Sequence, residues 1–162
     1  MADDRLTLCL SLGQAAPSQF GNYNFKGMCK FGDVLLGGNE DGLFTLDSGD
    51  RDGTAKIAAH IRTGPTDFGA EEEKRLRRAY VSFRTDGLMR MSVSADGKDD
   101  VVQDITPHNT SLDMIHQKVT GGRDIRGKYL DLKLANVEGS DFTINEVKAV
   151  LVVLGANTLE GA

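Results

Sequence analysis

Apolar and polar residues alternate with period two along most of this chain, in short runs separated by glycine-containing turns. That pattern allows little but antiparallel β-structure. Arg5 to Leu12 opens it: Leu6, Leu8, Leu10 and Leu12 share one face, and Thr7, Cys9 and Ser11 the other. The expectation is a half-buried strand with Cys9 on its polar or partner-facing side. The alternation returns in Leu76 to Thr85, where Ala79, Val81 and Phe83 oppose Tyr80, Ser82 and Arg84. It recurs in Leu88 to Ala95 and in Tyr129 to Ala135.

The 19 glycines carry the turns. Many follow Asp, because Asx side chains and glycine both suit tight reversals. Asp86-Gly87 lies between two alternating runs and predicts a type I′-like hairpin. Asp96-Gly97 predicts the next turn. Lys56 to Thr63, Asp100 to Thr106 and Leu112 to Thr120 read as further strands. Ala70 to Lys74 reads as a short helical turn. The unbroken apolar run Ala149 to Leu154 suits a central strand buried on both faces.

Residues 13–21 read as a polar linker. Asn22 to Lys30, Asp33 to Leu36 and Gly42 to Leu46 read as a short meander with few large apolar residues. The chain therefore divides into residues 1–53, an N-terminal arm and meander, residues 54–155, the main β-domain, and residues 156–162, a tail. The expected fold is all-β: an antiparallel β-sandwich, jelly-roll-like, with an extended N-terminal β-arm.

At 162 residues and 40% hydrophobic composition the chain has enough apolar material for one real core. Its net charge of -5 repels nucleic acid, and no nucleic-acid partner is expected. The basic cluster Lys74, Arg75, Arg77 and Arg78 follows Glu71, Glu72 and Glu73, which reads as local neutralisation. Alternation puts Arg75 and Arg77 on one face, suited to a salt-bridged edge or a subunit interface. No apolar run approaches the roughly 20 residues of a membrane span, so no membrane insertion is expected. The Met-Ala-Asp-Asp start lacks the regions of a signal peptide, which predicts synthesis in the cytoplasm without export by that route.

Reactive constellations are missing from the pattern. His60, His108 and His116 have no metal-ligand spacing. Asp47, Asp50 and Asp52 before Gly53 suggest a calcium loop, but a register begun at Ser48 closes on Ala59 rather than Glu. Asp99, Asp100 and Asp104 read as turn and surface charge rather than an acid–base pair. Gly37-Gly38 and Gly121-Gly122 lack the Lys-Ser/Thr and the following helix of a phosphate loop. Cys9 and Cys29 fit no CxxC spacing and read as reduced thiols, with a disulfide within or between chains left open. No cofactor and no enzymatic activity are expected.

Several short motifs in fixed order resemble tailed-bacteriophage virion proteins. They are Glu40-Asp-Gly-Leu-Phe44, Ile61-Arg-Thr-Gly64 running into Gly64-Pro-Thr-Asp-Phe-Gly69, Lys74-Arg-Leu-Arg-Arg-Ala-Tyr80 and Arg84-Thr-Asp-Gly87. Gly121-Gly-Arg-Asp-Ile-Arg-Gly-Lys-Tyr129, Leu132 to Asn136 and Gly139-Ser-Asp-Phe142 follow, before an apolar last strand. The resemblance spans residues 20–154. It implies a structural tail, baseplate or neck component, assembled in the host cytoplasm as a symmetric homo-oligomer with other virion proteins, and brings no catalytic residue. The expected subunit interface is Leu6, Leu8, Cys9, Leu10, Leu12, Arg75 and Arg77, with Arg5 to Leu12 donated as a strand to a neighbour's sheet. The alternative is a carbohydrate-binding module. It is disfavoured by the absence of Trp and by Tyr129-Leu130 standing where relatives carry a Tyr-Trp pair, although Tyr23 and Tyr129 are candidate stacking rings.

Overall fold

A computed structural model describes residues 7–11, 13, 16–21, 23–46, 49, 51–52, 55–98, 101–107, 113–122 and 125–155. It is all-β and antiparallel, with no helix among the described residues. The chain divides into two compact units, residues 1–54 and 55–162.

The first unit contains β1 (Thr7–Ser11), β2 (Ala16–Phe20), β3 (Gly27–Phe31), β4 (Val34–Asn39), β5 (Gly42–Leu46) and β6 (Arg51–Asp52). The segment expected as a linker holds β2, which pairs with β1 from Thr7↔Phe20 to Ser11↔Ala16. Pro17 is tolerated because this is a two-stranded ribbon and its missing N–H can face outward. The leucine face expected to be half buried is open: Leu8 is 71% and Leu10 58% exposed. A two-stranded ribbon has no second layer to cover one face. β3, β4 and β5 form a meander, one side of which holds a small aromatic cluster. Phe25 lies 5.8 Å from Phe44 and 5.4 Å from Tyr23 between ring centroids. Gly37 makes this possible, since a Cβ there would sit 2.8 Å from the Phe25 ring.

The second unit contains β7 (Ala55–Lys56), β8 (His60–Arg62), β9 (Lys74–Thr85), β10 (Met89–Ala95), β11 (Val101–Ile105), β12 (Ile115–Thr120), β13 (Arg126–Gly127), β14 (Leu130–Asn136) and β15 (Phe142–Val153). One sheet has the order β11-β10-β14-β8. The other is built on β9. β15 runs along one edge of β9 from Thr85 to Lys74. A strand has two edges, so β12, opposite Arg78 to Phe83, and β13, opposite Lys74 and Arg75, share the other. One apolar cluster draws on both sheets: Leu76, Ala79, Val81 and Phe83 from β9 meet Met89, Met91 and Val93 from β10 and Leu130, Leu132 and Leu134 from β14. Side chains buried this fully stabilise by about 1.5–3 kcal/mol each.

Three expectations fail for identifiable reasons. Asp86-Gly87 closes no hairpin: β9 and β10 lie in different sheets, and neither residue has positive φ. Both edges of β9 are already taken, so the turn carries the chain between sheets. It is held by Asp86 N donating to Asp141 O at 3.3 Å and Asp141 N donating to the Asp86 carboxylate at 2.9 Å. Ala149 to Leu154 is not central: β15 pairs only with β9 among the described residues and has no fully buried residue. Residues 70–73 form no helical turn, because Leu154 N draws the Glu73 carbonyl into the β15 ladder at 2.7 Å. Asp96-Gly97 does turn, with φ of 50° and 71°.

Candidate functional site

The motif residues serve the backbone. Thr63 extends β8 along β14: its N–H donates to Leu132 O, and its hydroxyl accepts from Leu132 N, both at 3.0 Å. Thr66 pairs with Leu130 through its backbone alone: its N–H donates to Leu130 O and its carbonyl accepts from Leu130 N, both at 3.0 Å. Asn136 accepts from Ala59 N at 2.9 Å and donates to Ile57 O and Ser140 O at 2.9 and 3.0 Å. Asp96 accepts from Tyr129 N at 2.8 Å and Lys128 N at 3.1 Å. Chiefly the Tyr129 N–H, aided by the Lys128 N–H and the charges of Lys98 and Lys74, holds its carboxyl below the usual carboxylate range. Gly127 lets this happen, since a Cβ there would stand 2.5 Å from that carboxylate. Lys74 is fully buried and donates to Lys128 O at 2.5 Å.

Other titratable groups form isolated pairs. Asp131 is 4% exposed and receives Arg62 Nε at 2.7 Å, while its Oδ1 has no hydrogen-bond partner. Arg90 and Asp104 pair at 2.7 Å, and that hydrogen bond lowers the Asp104 carboxyl. His116 Nδ1 shares a 2.7 Å hydrogen bond with Ser82 Oγ. Among the described residues no group of three His, Cys, Asp or Glu side chains converges to hold a metal. His108, Asp47, Asp50, Asp99 and Asp100 lie outside the described residues.

Two surfaces stand out. The first is the solvent-facing side of the β9 sheet. Cross-strand register aligns Glu146–Ser82–His116, Lys148–Tyr80–Lys118, Val150–Arg78–Thr120 and Val152–Arg75–Arg126, with Arg84 beside Thr143. Strict alternation would send Arg78 to the side opposite Arg77. A register shift leaves Arg77 without a partner on β15, so Arg77 and Arg78 both turn outward between buried Leu76 and Ala79. Bulges re-aim side chains in this way. Seven cations thus share one face with one acid. None ion-pairs with a described residue; the ion pairs found are Lys26–Glu40, Lys56–Glu138, Arg62–Asp131 and Arg90–Asp104. The expected neutralisation by Glu71, Glu72 and Glu73 does not occur through contact.

No protein-family model matches the chain, and no curated protein does.

The second surface belongs to residues 1–54. On the meander side away from the aromatic cluster, Phe31 is 76% and Leu43 71% exposed, beside exposed Val34 and Cys29. Register puts Cys29 in a row with Leu36 and Thr45, so the described strand residues on this side carry no charge. Of the expected interface, Leu8, Cys9 and Leu10 are exposed on β1, and Arg75 and Arg77 lie on the basic face of the other unit. Leu6 is outside the described residues, as is Leu12. Sequence reading missed Arg78, Arg84, Lys118, Arg126 and Lys148, because only strand pairing gathers them. Of the candidate stacking rings, Tyr23 packs 4.7 Å from Phe20, and Tyr129 has Lys128 Nζ 5.9 Å from its centroid.

Proposed function

We propose that this chain is a non-enzymatic structural subunit of a tailed-bacteriophage particle, in the tail, baseplate or neck. It acts as a symmetric homo-oligomer beside other virion proteins, without cofactor, nucleic-acid or membrane partner. The motif order supports the particle assignment. Those motifs fix turns and strand edges, as a building block requires.

The observation that carries the reading is the imbalance in residues 1–54. Among the described residues only Leu46 is a buried large apolar side chain, while Leu8, Leu10, Met28, Phe31, Val34 and Leu43 are among the exposed ones. Phe31, Val34 and Leu43 share one side of the meander, and an exposed apolar face of this kind marks an association site. In this reading the β1–β2 hairpin is the N-terminal arm, docking its leucine face on a neighbour. In the same reading the two sheets are the layers of a jelly-roll-like β-sandwich, supported by the apolar cluster they share.

Mass spectrometry of purified particles, with size-exclusion chromatography and light scattering on the isolated chain, tests this. The expected result is presence in particles and a discrete oligomer. A clean monomer absent from particles overturns it.

A further inference from the structure

No cation on the basic face of the β9 sheet ion-pairs with a described residue. With the chain at -5 and this face holding seven cations and Glu146, a local +6, the rest of the chain carries a formal -11. We propose that this face is the socket of a head-to-tail contact between copies of the chain, filled by the Glu71–Glu73 segment of the next copy. The inference rests on the homo-oligomeric reading above and names its contact.

The charge excludes one geometry. Two such faces cannot meet each other across a two-fold axis, because like charges would be juxtaposed at a cost of several kcal/mol. The surface that covers the face must be acidic, so two different patches meet, the pairing that a head-to-tail, ring-closing contact uses. The chain carries one obvious complement. Glu71, Glu72 and Glu73 form its longest run of acids. All three are exposed, and none makes an ion pair with a described residue. Their backbone is fixed at the end of the sheet by the Leu154 N to Glu73 O bond. The anion donor is thus presented on a rigid edge, which lowers the ordering cost of docking.

The socket has the shape and the chemistry to receive it. A shallow groove of about 450 Å³ crosses the face, lined by Tyr80, Ser82, His116, Lys118, Glu146 and Lys148. Arginines, whose planar forks grip carboxylates bidentately, flank it on β9. A polyanion such as DNA would meet the same cations. But a chain with net charge -5 opposes its approach, and it leaves the chain's own acid run without a partner.

The test uses the full-length chain and two variants. Arg77→Glu/Arg84→Glu/Lys118→Glu/Arg126→Glu/Lys148→Glu reverses the socket at exposed positions, taking it from +6 to -4, and Glu71→Lys/Glu72→Lys/Glu73→Lys reverses the plug. Sedimentation velocity at low and high salt should show self-association weakened at least about tenfold in each variant, with circular dichroism unchanged. Mixing the two variants should restore assembly at low salt, since one carries two acidic surfaces and the other two basic ones. High salt should dissolve the restored complex. If wild type and both variants assemble equally, the socket is refuted while the oligomer stands. A monomeric wild type refutes both. Folded variants that stay apart when mixed refute the pairing. So does single-stranded DNA binding that disappears on socket reversal while self-association persists.

Discussion

Gly121 and Gly122 are adjacent, uncharged and half-buried, yet the structure demands opposite responses to the same substitution. A Cβ on Gly121 would stand 2.0 Å from the carbonyl oxygen of Leu76 and 2.8 Å from its carbon. Both are backbone atoms of β9, beside the bulge that presents Arg77. To reach an ordinary contact, β12 and β9 must part by more than about 1 Å where Gly121 N donates to Arg77 O at 3.1 Å, and overpacking of this kind costs about 1–3 kcal/mol. A Cβ on Gly122 meets only the Ile125 side chain at 3.6 Å, an ordinary contact. Neither glycine has positive φ, so Gly122→Ala gains about 0.4–1 kcal/mol by restricting the unfolded chain. Between the two variants the gap is therefore about 1.4–4 kcal/mol. At roughly 2–4 °C per kcal/mol for a chain of this size, Gly121→Ala should melt well below wild type and Gly122→Ala at or slightly above it. Differential scanning calorimetry with urea titration reads both. Equal melting temperatures for the pair would refute the close approach.

Asp96 supplies a pH test. Folding depresses its carboxyl below 3.8, so its contribution is complete above the unfolded value and is lost as pH falls through the folded one. Asp96→Asn should cost about 1 kcal/mol at neutral pH and flatten the acid limb of stability below about pH 4, measured by urea midpoints across pH; an unchanged limb counts against it. Arg62→Ala strands the buried Asp131 carboxylate and should cost about 2–3 kcal/mol, whereas Arg62→Ala on an Asp131→Asn background should cost clearly less. Cys9 and Cys29 are exposed free thiols, so native protein should take up two maleimides by intact mass without denaturant; labelling that requires urea would contradict the described burial.

What could be read from the sequence was local. The alternation in Leu76 to Thr85, Leu88 to Ala95 and Tyr129 to Ala135 falls close to β9, β10 and β14, since residues two apart share a face whatever the partner strand. Partner choice could not be read there. Asp86-Gly87 has hairpin chemistry, but occupied edges on β9 turn it into a crossing. The apolar run of β15 resembles a central strand but lies at an edge. The basic face was half legible. Arg75 and Arg77 follow from spacing alone, but Arg78 needs a bulge, and Lys118, Arg126 and Lys148 need a pairing register. The leucine strand was visible as a pattern, while its uncovered face depends on what lies beyond it.

The position of β9 governs the order in which this chain acquires structure during synthesis. In residues 1–54 each strand of the hairpin and meander pairs with one made just before it, so these contacts close as fast as the segments emerge. β9 begins at Lys74, but its neighbours start at Ile115, Arg126 and Phe142. Until residues 142–153 have been made, its 12-residue strand waits with one edge bare. Non-local pairing of this kind is slow and leaves partly made chains prone to aggregation. Nascent copies on one message are therefore most vulnerable while the stretch between β9 and β15 is being translated. Slowing translation after β15 should do less harm to yield than slowing it before.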